Sequence, residues 1–348
     1  MKGALPDDIA AAGINIERYA VLQALTAAAP RIACERIPNT VKHFFAVFCT
    51  EIATNEPQWN RHFDMEGEPE RFSDMAQLAT LRRFLADTLN FAYERLPPLR
   101  MMLWIPTRTL PGYIYRRIVT MPFNKPSIGP HINYGRKSSL ILRKSDYERG
   151  LWLIAKTLEM NSEVSGLNGW SWFHSKVVGE IQPHLAWMRD VMADNGAYLI
   201  DTLPAEPGRY GFTYNNRKRQ ILYDQGKFCP RQTAFFWPRD NVLYWASQHP
   251  EFAPEGEPPI QPPKHRADTH LKSPKPARQS KRNSSITLWN GKAALDRMGQ
   301  YPYIALVLVL PALILSLAML GIAGPWLALS AFPIWVLLAH AFQYYCSP

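Results

Sequence analysis

The chain has 348 residues, 47% of them hydrophobic, with a formal net charge of +10, 30 prolines and 4 cysteines. That length suits one or two domains, and the basic balance by itself fits nucleic acid or anionic lipid. So few cysteines exclude a disulfide-framed scaffold: Cys34, Cys49, Cys229 and Cys346 are far apart, form no CxxC pair and read as reduced thiols. No HxH or HxxxH spacing, Walker loop, GxSxG elbow or dinucleotide fingerprint occurs, so no metal site and none of those chemistries is expected.

Met1 to Gly13 carries Asp7 and Asp8 where an export signal needs an apolar run, so the large N-terminal part is expected in the cytoplasm. Residues 1–97 read as a helical lobe. Val41 to Ala53 puts Phe44, Phe45, Phe48 and Ile52 on one helical face. Ser73 is the expected cap of the next helix, in which Met75, Leu78, Leu81, Leu85, Leu89 and Ala92 recur at steps of three and four until Pro97 and Pro98.

Residues 95–145 hold ten basic residues and no Asp or Glu, interleaved with Trp104, Tyr113, Tyr115 and Phe123. Arg116 and Arg117 in this stretch suit anionic lipid headgroups. Gly135-Arg136-Lys137-Ser138-Ser139 offers two cations and two hydroxyls to a phosphate-bearing ligand or to lipid. From Ser138 to Gln248 short strands alternate with helices: strands at 139–143, 169–173, 197–203 and 233–237, helices at 146–160, 184–194, 215–225 and 240–248. The expected class for 98–250 is α+β, a mixed sheet covered by helices.

Within that domain Gly196-Ala197-Tyr198-Leu199 precedes a strand, and Asn216 precedes Leu222-Tyr223 and Phe228. Over about 184–228 this resembles the closing segment of the GNAT acyltransferases. The resemblance implies that Asn216 lies near the pantetheine of an acyl-CoA or acyl carrier protein, and that Tyr223 returns a proton to its thiolate. The glycine-rich phosphate loop of that family would fall at Val178-Gly179-Glu180-Ile181-Gln182-Pro183-His184, which has one glycine and an acid. Coenzyme A held in the usual way does not suit this loop, whereas a protein-borne acyl donor, or a fold of this family that has lost catalysis, is compatible with it. His131, His174 and His184 are the available general bases, with His174 and His184 the catalytic candidates beside Tyr223.

After His249-Pro250 the composition becomes that of a linker. Residues 251–287 contain seven prolines and, from Lys264 to Arg282, seven cations, which predicts an extended basic tether. A juxtamembrane segment, 288–300, leads to 301–348, where no residue is charged. There the runs Tyr303 to Ala323 and Trp326 to Tyr345, joined at Gly324-Pro325, are each long enough for one crossing of a ~30 Å bilayer core. The cations before the first run orient this hairpin with the large domain on the cytoplasmic side of an inner membrane. The expected function is a membrane-anchored acyltransferase acting on a lipid-linked or protein substrate. The alternative is a non-catalytic adaptor that binds anionic lipid or an acidic protein partner; nucleic acid is not the expected ligand.

Overall fold

A computed structural model describes residues 15–63, 69–94, 105–106, 109–110, 112–113, 121, 125–132, 143–208, 211–213 and 216–263. The chain divides into two compact units, residues 1–99 with 116–273, and residues 100–115 with 274–348. In the second unit the described residues form one turn, with Thr109 N–H and Leu110 N–H on Pro106 O and Tyr113 N–H on Thr109 O. All elements named below belong to the first unit.

Asn15 caps α1 (Ile16–Ile32) through Oδ1, which accepts the Arg18 N–H at 2.9 Å. Val21, Leu25, Ala28 and Ile32, spaced by four, three and four, form its buried stripe. The same spacing recurs in α2 (Asn39–Ala53) with Val41, Phe45, Phe48 and Ile52. Helix α3 (Pro69–Ala79) packs against α1. Helix α2 packs on strand β1 (Phe84–Ala86).

The helical reading of 73–92 is corrected here. Ser73 lies inside α3, and the chain leaves that helix at Leu81, whose φ is 58°. β1 and β2 (Leu89–Glu94) then form an antiparallel hairpin around Asp87-Thr88, with Asp87 at φ 58°. A two-residue hairpin turn needs positive φ, and Asp tolerates it. Leu85, Leu89 and Phe91 bury themselves in a sheet instead of on a helix face. Residues 97–98 lie outside the described set.

Four further strands complete the sheet: β3 (Ser127–Ile132), β4 (Gly166–Ser171), β5 (Tyr198–Pro204) and β6 (Arg231–Pro238). Their order is β1-β2-β3-β4-β6-β5, and only β3 and β4 run parallel. The connections carry α4 (Lys144–Met160), α5 (Lys176–Ile181), α6 (Trp187–Ala193) and α7 (Arg217–Asp224), and α8 (Arg239–Ser247) follows β6. The expected α+β class with a mixed, helix-covered sheet is therefore present. The strand expected at 139–143 lies mostly outside the described residues.

Register assigns the side chains to two faces. Leu89, Phe91, Ile128, Leu167, Phe235 and Trp237 share one face, covered by α4 and α8. Trp152 of α4 donates its indole N–H to Ala246 O of α8 at 3.2 Å, and Trp237 stacks obliquely on Trp245 at 5.5 Å. This core is continuous from Val21 to Ile260. Part of the span read as tether is thus packed: Ile260 is buried, Gln261 N–H donates to Glu159, and the Glu257 carboxylate accepts from Thr40 N–H at 2.6 Å.

Candidate functional site

The antiparallel pairs of the sheet are long: β2 and β3 match at six positions, as do β4 and β6. The parallel pair matches at one, Ile128 with Leu167. Upstream of that rung the strands are tied together, because Ser165 N–H donates to Pro126 O at 2.8 Å and Ser165 Oγ to the same oxygen at 3.0 Å. Downstream, no ladder pair joins them among the described residues. Pro130 supplies a reason: it has no N–H, and with the β2 register intact through Phe91↔Pro130, the missing donor falls on the β4 side. Both strands are buried over their first three residues and half-buried over their last three. The result is a seam without ladder bonding, among the described residues, beyond its one rung on the side of the carboxyl ends of two parallel strands, the side on which open sheets receive ligands.

The seam's second face is polar. Asn90, Ser127, His131 and Asn168 share it by register, opposite the apolar face. Asn168 Nδ2 donates across the seam to Ser127 Oγ, which in turn donates to Glu94 O at 3.5 Å. Asn90 and Asn168 are 4% and 3% exposed, yet each Oδ1 is without a partner. Buried amide oxygens are normally satisfied, so two acceptors are available here to an N–H or O–H. Gly129 leaves room on this face for the end of the Glu94 side chain, which a Cβ there would displace. His131, register partner of Asn90, has its pKa lowered to about 4 by burial and by Arg83, so its imidazole is neutral near pH 7 and can accept a hydrogen bond.

Other sequence candidates lie elsewhere. His174, just past β4, is buried with its ring edge-on to Phe235 at 5.1 Å; burial and Arg189 bring its pKa to about 3, and its Nδ1 has no partner. His184 is exposed in a short 3-10 turn. Asn216 caps α7, with Oδ1 accepting the Arg219 N–H at 3.0 Å. Tyr223, on the same helix, is half-buried with its ring edge-on to Phe212 at 5.3 Å. Tyr223 and Trp172 pack on one small cluster built on Phe212, Phe228, Val178 and Leu185, which brings the α7 candidates to the end of β4. No direct contact joins Tyr223 to His174 or His184 among the described residues. The stretch at which that family's phosphate loop would fall, 178–184, is the end of α5 and the following turn.

Arg116, Arg117, Arg136, Lys137 and the apolar hairpin 301–348 lie outside the described residues. Among the described residues no helix is long and apolar enough to cross a membrane, and no group of three His, Cys, Asp or Glu side chains could hold a metal ion. The seam itself was not anticipated from sequence. Its signal was the alternation Ser127-Ile128-Gly129-Pro130-His131-Ile132, a strand pattern interrupted by a residue that cannot complete a ladder. No family model, no curated protein and no solved structure matches this chain.

Proposed function

We propose that the chain is an acyltransferase that takes the pantetheine-type arm of an acyl carrier into the seam between β3 and β4 while anchored to a membrane by residues 301–348. The observation that carries this reading is the parallel pair with a single rung. An extended ligand with amide groups can supply N–H and C=O partners that the two strands do not give each other beyond that rung, as a peptide does when it adds to a sheet edge. The segment 133–142, which contains Arg136 and Lys137, connects the carboxyl end of β3 to α4. The first turn of α4 already holds Asp146, paired with Arg149 at 2.8 Å, so the phosphate donors in this connection are the cations Arg136 and Lys137 rather than the helix terminus. The phosphates of the carrier are therefore assigned to 135–145 rather than to 178–184.

The open Oδ1 acceptors of Asn90 and Asn168 and the neutral His131 suit an acceptor substrate bearing N–H or O–H, brought against the thioester from the polar face. Attack on the thioester carbonyl expels the carrier thiolate, and Tyr223 is the group that the family resemblance offers to protonate it. Arg116 and Arg117 hold the domain at anionic headgroups, so a lipid-linked or membrane-protein acceptor fits.

The test uses the full-length protein in detergent micelles. Coenzyme A and an acyl-CoA are expected to raise its melting temperature by mass action, and replacing Arg136 and Lys137 by Ala to weaken that rise. Tyr223→Phe is expected to retain binding and lose acyl transfer. Absence of any rise with coenzyme A, acyl-CoA or acyl carrier protein sinks the reading and leaves the adaptor.

A further inference from the structure

Just beyond the carboxyl end of β4 the fold removes a cation from water without giving it an acid among the described residues. Arg219 is 7% exposed. Its guanidinium lies 4.9 Å over the Trp172 ring, and its Nη1 donates to Phe212 O at 3.3 Å. Nε is buried and has no partner. Burial pulls the guanidinium below the ordinary arginine value, and no carboxylate among the described residues opposes it. A buried charge is costly unless paired, so this arrangement asks for an anion.

The helix around it points the same way. A helix N-terminus is the positive end of the macrodipole and normally attracts Asp or Glu. The first turn of α7 has no acidic residue and opens Arg217-Lys218-Arg219. Three consecutive cations at the positive end repel one another and the dipole, with Arg217 and Lys218 exposed and Arg219 turned inward. An exposed face would account for the first two residues. It does not account for Arg219.

We propose that Arg219 anchors an oxyanion-binding site that takes a carboxylate or phosphate group on the Nε–Nη2 edge of its guanidinium. Nη1 is committed to Phe212 O, and the remaining edge carries two parallel N–H donors, which match two oxygens of one oxyanion. Trp172 fixes the plane of the guanidinium by cation–π contact and is itself stacked on Phe173 at 3.8 Å. Arg217 and Lys218 add attraction at the entrance. Since Trp172 is the first residue after β4, the anion is held at the end of the strand where the seam opens. The site stands independently of the acyltransferase reading.

The experiment melts the full-length protein in detergent micelles in sodium chloride and, at matched ionic strength, in inorganic phosphate or in acetate. A rise of about 3 °C is expected with at least one of the two oxyanions, and which one separates a phosphate ligand from a carboxylate ligand. Arg219→Met should abolish the rise, and Arg219→Lys, which keeps the charge but not the fork, should reduce it by at least about half. Joint replacement of Arg136 and Lys137 by Ala should leave it intact, which keeps this site distinct from the proposed carrier phosphates. No rise with either anion, or an equal rise in Arg219→Met, overturns the proposal. Should Arg219→Met fail to fold, an undiminished rise in Arg219→Lys overturns it instead. Coenzyme A binding by the Arg219→Lys protein reads the acyltransferase proposal separately.

Discussion

The two halves of the sheet and the line where they meet are built by different rules. β1-β2-β3 on one side and β4-β6-β5 on the other are antiparallel ladders, carried on the apolar face by aromatic and aliphatic residues from Phe91 to Trp237. Between them stands one rung and a row of amides, hydroxyls and an imidazole. Complete ladders with buried apolar partners supply stability, and polar groups left unpaired in the interior subtract from it. Stability is concentrated in the halves, while the groups able to meet a ligand are gathered at the join.

The largest blow to this contrast is to a half. Trp237 is fully buried, and its indole N–H donates to Asn195 O at 2.8 Å. Trp237→Ala is expected to cost about 3–5 kcal/mol, read as a lower urea midpoint, with ligand binding lost only through unfolding. At the join the expected cost is smaller. Asn168→Ala removes the bridge to Ser127 and one orphaned acceptor together, so the loss should be about 1–2 kcal/mol while binding at the seam changes more than stability does. A stability loss equal to that of Trp237→Ala would mean that the join is structural and would break the comparison.

The third expectation concerns pH. Burial lowers His131 and His62 to about 4 and His174 to about 3, all below the unfolded value of 6.5. The unfolded chain therefore binds more protons as pH falls below 6.5, and each histidine's contribution, complete above that value, is lost as pH falls towards its folded pKa. Each histidine adds up to about 1.4 kcal/mol per pH unit to the slope between pH 6 and 4.5. Denaturant midpoints measured through that window should fall with acidity, and His131→Gln should flatten the fall by one histidine's share.

Much of the second half was legible. The helices at 144–160, 217–224 and 239–247 and the strands at 198–204 and 231–238 follow period and breakers closely. The first hairpin was hidden because Leu78, Leu81, Leu85, Leu89 and Ala92 imitate a helical stripe, and Asp87-Thr88 lacks the glycine that marks most two-residue turns. The join was hidden for a different reason: pairing between β3 and β4 spans the 17-residue helix α4, and no local pattern records which strands will be neighbours or where they part. Arg219 is not marked in the sequence, because three successive cations resemble a solvated surface. Only the packed Trp172 ring distinguishes one of them.

The packing of residues 257–261 has a mechanical consequence. Glu257 is fastened to Thr40, Ile260 is sunk in the core, and Gln261 is fastened to Glu159. Tension arriving along the backbone from residue 264 onward meets these three fastenings before it reaches any strand. A pull from that side would therefore load helices α2 and α4, through Thr40 and Glu159, before it loaded a strand.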